Sequence, residues 1–305
     1  MKVLVIGYGS IGSRHAKLLK GLGLEVYVVS RRKINFYQFY PSISLAIKDN
    51  SFDYIIVASK TNEHHSDLLE LLSLGYSNSI LIEKPLFHKP CNISLDNTEN
   101  IHVGYNLRFS PVFEKLKLII SGQNILSVNA YAGSYLPEWR PNSDYRKSYS
   151  AKKNEGGGVL RDLSHELDYL VYMLGGWTSV TSLGGNFSQL EIDTDDIYSI
   201  MMKTNHCPVV SIHLNYLDRD PNRYVIVNTE KNTIKADFIN KTIEIDNNRE
   251  NYDYDRDIIY TKQHQAILNM DNSQICSFSE GRAIVDLINK IEEIAKSKTP
   301  IWIEN

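Results

Sequence analysis

Two rhythms of apolar and polar positions divide this 305-residue chain. In the first hundred residues, short apolar runs at 3–6, 25–29, 54–57 and 79–82 alternate with longer stretches whose apolar residues recur every three or four positions, up to about residue 22 and around 65–74. The runs predict buried strands and the stretches predict helices. Strands spaced by single helices predict right-handed βαβ units and a doubly wound parallel sheet. From about residue 126 the rhythm changes. Segments 127–132, 197–203, 209–216, 224–228, 233–238 and 242–245 read as strands, mostly without helices between them. Val209-Val210-Ser211-Ile212-His213-Leu214-Asn215-Tyr216 runs at period two, and Glu230-Lys231-Asn232 and Ile239-Asn240-Lys241 read as hairpin turns. Helical patterns at 112–121 and 279–296 open and close this half. The expected architecture is an α/β domain over residues 1–111 and an α+β domain over 112–305, the latter an open, mostly antiparallel sheet with helices on one face.

Composition narrows the class without choosing within it. The length exceeds what one core usually organises, which agrees with two domains. A net charge of -3 provides no broad attraction to nucleic acid or an anionic membrane, so neither is expected as a partner. Cys91, Cys207 and Cys276 lie far apart and form no CxxC pair, which argues against disulfides or a thiolate zinc site and fits a reducing cytoplasm. The initial apolar run is interrupted by glycines too soon for a signal peptide or a membrane span.

Chemistry first shows in Gly7-Tyr8-Gly9-Ser10-Ile11-Gly12, a GxGxxG string between the first strand and its helix. The first glycine permits a tight turn, the second lets backbone approach a pyrophosphate, and the third lets helix and strand close up. The helix N-terminus attracts the phosphate charge. This context predicts a dinucleotide-binding domain of Rossmann type. The second strand ends in Ser30-Arg31-Arg32-Lys33, where an NAD-preferring site usually carries Asp or Glu for the ribose 2′-OH. Ser30 and the guanidinium of Arg31 or Arg32 could hold a 2′-phosphate, so NADP(H) is favoured and NAD(H) remains possible.

Further motifs follow in order. Ile82-Glu83-Lys84-Pro85 ends the fourth strand, and Ala58-Ser59 with His64 follows the third. Val103-Gly104-Tyr105-Asn106-Leu107-Arg108-Phe109-Ser110-Pro111 precedes the second domain, Gly156-Gly157-Gly158-Val159-Leu160-Arg161-Asp162 opens a helix, and Ser279-Glu280-Gly281-Arg282-Ala283 lies near the end. Together these resemble the Gfo/Idh/MocA family of sugar and inositol oxidoreductases over most of the chain. The resemblance implies that Ala58, Ser59 and His64 pass under the nicotinamide end, with Glu83 and Lys84 beside the cofactor. It also implies that Lys84, His165 and Asp162 form the catalytic group. Two places depart from the family pattern: Lys60 stands where proline is common, and Asp162 and His165 are three apart instead of four. On one continuous helix that step turns the histidine by about 100° relative to the aspartate.

Oxidising a sugar alcohol requires a hydride acceptor, a base and a charge to hold the developing alkoxide. His165, with an ordinary pKa of about 6.5, suits the base. Lys84 suits the charge, and Asp162 would orient that pair or bind a neighbouring hydroxyl. On a helical wheel Leu163, Leu167, Leu170, Val171 and Leu174 gather opposite Asp162, His165 and Asp168, which predicts a polar helix face lining the cleft. The glycines before it are expected to bring the chain close to the cofactor. His64 and the adjacent His65 point different ways and lack spaced partners, so no metal is expected. Between the two domains' motifs, the stretch 135–149 concentrates Trp139, Arg140, Tyr145 and Arg146. With Arg108, these are the candidate substrate contacts, suited to an acidic or nucleotide-linked sugar, although such a loop could equally pin domains or subunits together. The flavour of surface-polysaccharide biosynthesis and a homodimer or homotetramer follow from the resemblance. A non-catalytic sensor of the same fold and a reductase of a non-sugar carbonyl are the competing readings. A pure binder would be free to lose Lys84 and His165, which are both present.

Overall fold

The computed structural model describes residues 1–91, 98–297 and 301–305. In chain order the elements are β1 (Lys2–Ile6), α1 (Ser10–Gly21), β2 (Glu25–Val29), β3 (Gln38–Tyr40), α2 (Ile43–Asp49), β4 (Tyr54–Val57), α3 (His64–Ser73), β5 (Ser79–Ile82), β6 (Ile101–Val103), α4 (Pro111–Ile120), β7 (Ile125–Gly133), α5 (Val159–Asp162), α6 (His165–Met173), β8 (Trp177–Gly185) and β9 (Ile197–Thr204). They continue with β10 (Val210–Asn215), β11 (Asn222–Thr229), β12 (Thr233–Asp237), β13 (Thr242–Ile245), β14 (Asn248–Asn251), α7 (Asp257–Leu268), β15 (Cys276–Ser277), α8 (Phe278–Lys296) and β16 (Ile303–Glu304).

The chain divides into two units, Met1–Phe109 with Asp255–Val285, and Ser110–Tyr254 with Asp286–Asn305. The first carries a sheet in the order β15-β6-β5-β4-β1-β2-β3, parallel throughout except for β15 against β6. Its central strands are apolar on both faces; Val3, Leu4, Val5 and all four residues of β4 are buried, as expected of a sheet covered on both sides. The chain runs outward from β1 through β2 and β3, then restarts at β4 on the other flank. That reversal opens a crevice at the carboxyl ends of β1 and β4, where ligands bind in folds of this kind.

The second unit carries the order β14-β13-β12-β11-β7-β10-β9-β8-β16, antiparallel except for the β7–β10 pair. Here burial alternates. Tyr198, Ile200 and Met202 of β9 point inward, while Met201 is exposed, the pattern of a sheet covered on one face. Helices α4, α5 and α6 pack on it.

The segment Asp255–Val285 belongs to the first unit, whereas the sequence reading assigns everything after residue 111 to the second. Helix α7 went unpredicted because its buried stripe includes Gln263 and His264 beside Ile259, Tyr260 and Ile267. Polar residues in a core-facing stripe erase the apolar rhythm that marks a helix. α7 packs on α1 and on the turn Asn106–Phe109, so the segment is recruited by non-local contacts.

Candidate functional site

The Gly-rich turn lies at the β1–β4 crevice. Gly7 has φ 89°, and a Cβ there would meet the Ala58 carbonyl at 2.6 Å and the Ser59 backbone at 2.7 Å. A side chain on Gly12 would collide with the Gly7 carbonyl, so no larger residue lets α1 leave the turn this closely. Gly9 differs: a Cβ added there meets nothing within 4 Å. Gly9 is also the N-cap of α1, which has no side-chain cap and no acidic residue in its first turn. Two glycines thus close the turn, and the third faces open space at a helix start whose N–H groups and dipole favour an anion. These residues fit the pyrophosphate of a dinucleotide. Tyr8 flanks the turn, edge-on to Tyr37 at 5.8 Å.

At the end of β2, Ser30 accepts the Arg32 backbone N–H at 3.1 Å, and Arg31 is exposed and paired with Glu63 at 2.6 Å. The basic cluster therefore already holds one carboxylate, which the sequence reading did not foresee. After β4, the Ser59 hydroxyl donates to Asp67 at 2.5 Å. Burial pushes the Asp67 carboxyl up to about 6, against the opposing hydrogen bond from Ser59. His64, fully buried, places Nδ1 3.2 Å from the carbonyls of Pro85 and Leu86 and Nε2 3.3 Å from the Ser59 carbonyl. Burial lowers its pKa, outweighing Glu83 and those carbonyls, so the neutral ring ties the loop after β4 to the loop after β5. His64 is thus a brace under the crevice.

Glu83 follows β5 with its carboxylate against Gly104; a Cβ on Gly104 would come within 2.9 Å of Oε1. Glu83 accepts from His15 Nε2 at 2.9 Å and from the Lys84 backbone N–H at 3.3 Å. Burial opposes its ionisation, but the hydrogen bond from His15 and the nearby Lys84 charge hold its pKa below the ordinary value. Arg108 is buried with its guanidinium 3.2 Å from Glu280. That pair braces the first unit.

In the second unit, the predicted single helix is two. α5 ends at Asp162, α6 starts at His165, and Leu163 and Ser164 form the joint. The 100° argument from residue spacing does not carry across that joint. The expected polar face is also not a wet one: Asp162, His165 and Asp168 are all buried. The Tyr216 hydroxyl donates to Asp162 at 2.6 Å, and Tyr149 makes a second side-chain hydrogen bond to it. Burial, then the Asp162 charge, drives the pKa of both phenols up, so each remains a donor. Beside them Glu166, wholly buried, pairs with Arg223 of β11 at 2.9 Å, and Arg161 forms a two-point pair with Glu292 of α8. These ion pairs anchor the helices to the sheet and to α8.

The glycines ahead of α5 serve this unit's own packing. Gly158 has φ 119° and lies against the Asp195 carboxylate, and Gly157 lies against the carbonyls of Tyr149 and Ser150. Asp195 caps α5: its Oδ2 accepts the Leu160 N–H at 2.9 Å and its carbonyl accepts that of Val159 at 3.1 Å. Desolvation pushes the Asp195 carboxyl up to about 6. The sequence reading expected these glycines to face a cofactor; their immediate neighbours are Asp195 and the 149–150 backbone.

The aromatic loop encloses a cavity of about 360 Å³ lined by Leu136, Trp139, Arg140, Ser143, Asp144, Tyr145, Lys147, Ser148 and Ser150. Trp139 stands edge-on to Tyr216 at 5.2 Å and donates its indole N–H to Ser134. Trp139, Tyr216, Tyr149 and Asp162 thus form one continuous group joining cavity and helix. Arg146 is not among the lining residues. Its guanidinium sits 2.8 Å from Asp144 and 3.2 Å from Glu191 on the surface. Sequence reasoning missed Tyr216 and Asp195. Tyr216 directly follows the alternating strand β10, and Asp195 lies in the acidic run Asp193-Thr194-Asp195-Asp196, but nothing local names their partners. Among the described residues, no group of three or more His, Cys, Asp or Glu side chains is arranged to hold a metal ion, and no helix is long and apolar enough to cross a membrane.

Residues 1–94 match the family model described as "Oxidoreductase family, NAD-binding Rossmann fold", and residues 113–234 match the one described as "GFO/IDH/MocA C-terminal domain". No curated protein sequence matches the chain. Among solved structures, a levoglucosan dehydrogenase in complex with NADH and L-sorbose aligns with TM-score 0.83 at 14% identity, covering 100% of this chain and 98% of that one. GenD2 from gentamicin A biosynthesis in complex with NAD aligns with TM-score 0.80 at 16% identity, covering 100% and 97%. The WlbA dehydrogenase from Bordetella pertussis in complex with NADH and UDP-GlcNAcA aligns with TM-score 0.78 at 16% identity, covering 99% and 97%. At such identities these neighbours speak for the fold.

Proposed function

The chain belongs to the GFO/IDH/MocA oxidoreductase family, and from that premise we propose that it transfers a hydride between a nicotinamide dinucleotide and a hydroxyl or keto carbon of a sugar. The observation that carries the sugar reading is the cavity of about 360 Å³ in the second unit, with Trp139 and Tyr145 as aromatic walls and Arg140 and Lys147 as cations. Its volume falls in the range of about 300–1,000 Å³ that holds small ligands. Aromatic faces suit sugar rings, and the cations suit a carboxylate or phosphate. The favoured substrate class is therefore an acidic or nucleotide-linked sugar, such as one used to build a surface polysaccharide. WlbA, solved with UDP-GlcNAcA, is a fold neighbour of that kind.

The dinucleotide is held by the turn Gly7-Tyr8-Gly9-Ser10-Ile11-Gly12, by Ser30, Arg31 and Arg32 at the adenosine end, and by Ala58, Ser59, Glu83 and Lys84 at the other. Bound, it supplies the hydride acceptor or donor. His165 takes the proton of the reacting hydroxyl in oxidation and returns it in reduction. The Lys84 ammonium hydrogen-bonds the reacting oxygen and stabilises its negative charge. Asp162, held by Tyr216 and Tyr149, positions this apparatus. The Ser30–Lys33 cluster favours NADP(H), although a 2′-phosphate would have to share Arg31 with Glu63. The same reading makes the protein a cytoplasmic homodimer or homotetramer.

The test is to titrate NADPH and NADH by fluorescence and then to follow nicotinamide absorbance across a panel of sugars, uronates and nucleotide-sugars. Binding with turnover that falls at least about a hundredfold in both Lys84→Met and His165→Asn is expected. Absence of binding by either dinucleotide would overturn the enzyme reading. Turnover unaltered by both substitutions would overturn the residue roles.

A further inference from the structure

One buried row of side chains in the first unit ends at Glu83, and its other three members have no part in the reaction as written. It joins four elements: Glu83 after β5, His15 on α1, His264 on α7 and Tyr54 on β4. Glu83 Oε1 lies 2.9 Å from His15 Nε2, His15 Nδ1 lies 2.8 Å from His264 Nε2, and His264 Nδ1 lies 3.0 Å from the Tyr54 hydroxyl. His15 and His264 are wholly buried and Tyr54 nearly so.

The hydrogens can be counted. An ionised Glu83 only accepts, so His15 carries its hydrogen on Nε2. With a neutral ring, His15 Nδ1 then accepts from His264 Nε2–H, and His264 Nδ1 accepts from Tyr54 O–H. All three bonds are satisfied in one direction, Tyr54 to His264 to His15 to Glu83. The electrostatics agree. Burial holds His264 well below its ordinary pKa and keeps the Tyr54 phenol protonated. Besides His15 and Lys84, the groups facing Glu83 are His64 from α3, Tyr54 from β4 and Tyr260 from α7. The row ends beside Lys84, whose backbone N–H is held by Glu83 Oε2. The Lys84 charge is also one of the influences that keep Glu83 ionised, and electrostatic influence is reciprocal.

We propose that His15 is a positioning residue for Lys84: it fixes Glu83 as an oriented anion beside the lysine, and His264 and Tyr54 lock the ring that does so. The inference rests on the reading that Lys84 serves the reaction, but its test does not need turnover. His15→Leu leaves Glu83 buried without its strongest partner, so the carboxyl takes up a proton and Lys84 loses its neighbouring anion. His15→Gln differs, because the amide N–H can donate to Glu83 while the amide oxygen accepts from His264.

The experiment measures the pH dependence of amine-reactive labelling at Lys84 by peptide mass spectrometry, with surface lysines of the same sample as internal standards. Relative to wild type, His15→Leu and Glu83→Gln are expected to move the Lys84 midpoint down by about one pH unit, roughly tenfold more reactive amine at a fixed pH. The double variant should move it no further, because His15 acts through Glu83, and His15→Gln should restore it. A Lys84 midpoint unmoved in a folded His15→Leu protein overturns the proposal, since a merely structural histidine would lower melting temperature alone. If His15→Leu does not fold, an unmoved midpoint in Glu83→Gln overturns it equally. A wild type that turns over no sugar, together with variants that show the shift, would sink the role of Lys84 in catalysis and leave the positioning intact.

Discussion

Replacing Asp195 by asparagine should make the protein more stable at neutral pH than at acid pH relative to wild type, and the size of the effect follows from the cap of α5. Asp195 lies against Gly158 and accepts the Leu160 N–H, and its carboxyl is pushed from an ordinary 3.8 up to about 6 by desolvation. The folded state therefore binds a proton at this site more tightly than the unfolded chain. Its contribution is fully present below about pH 4 and is lost as pH rises through about 6. Two units correspond to about 3 kcal/mol. Part of Asp195 remains open to solvent, so about 2 kcal/mol is the working figure. Asparagine keeps a carbonyl oxygen for the Leu160 N–H but does not titrate. The difference in unfolding free energy, variant minus wild type, should thus rise by about 2 kcal/mol between pH 4 and pH 7.5. Urea unfolding followed by circular dichroism at four or five pH values measures it, and titrations common to both proteins cancel in the difference. The absolute offset reflects packing and is immaterial. A difference that stays flat within about 0.5 kcal/mol over that range would refute the account of Asp195 as a desolvated cap.

Three further outcomes are expected. Gly12→Ala should weaken dinucleotide binding by at least about a hundredfold in fluorescence titration, because a Cβ there collides with the Gly7 carbonyl and reshapes the turn. Arg31→Asp should lower the NADPH/NADH preference at least about tenfold by placing a second carboxylate beside Glu63; an unchanged ratio would remove Arg31 from the cofactor reading. Tyr216→Phe should cost about 1.5–3 kcal/mol in chemical denaturation, the cost of withdrawing a buried donor from a carboxylate.

Much of the fold was legible because its signals are local. The parallel strands are runs of buried apolar residues, and Gly12 is dictated by contact within its own turn. The candidate site was legible in residue types and poorly legible in arrangement. The helix carrying Asp162 and His165 was legible, but the joint at Leu163–Ser164 was not, because a leucine and a serine interrupt a helix only when tertiary contacts favour it. Arg108, Arg146 and Arg31 looked like ligand-binding cations. Each also meets a carboxylate, three of them distant in sequence: Glu280 for Arg108, Glu63 for Arg31, and Glu191, with the nearby Asp144, for Arg146.

By itself, then, the sequence determined the two kinds of sheet, the nucleotide turn and the family, since hydrophobic periodicity and glycine sterics act over a few residues. Tertiary structure decided the partners. Tyr216 reaches Asp162 across 54 positions and His264 reaches His15 across 249. Which buried donor satisfies which buried acceptor depends on where the chain returns, and a buried polar group must be satisfied wherever that is.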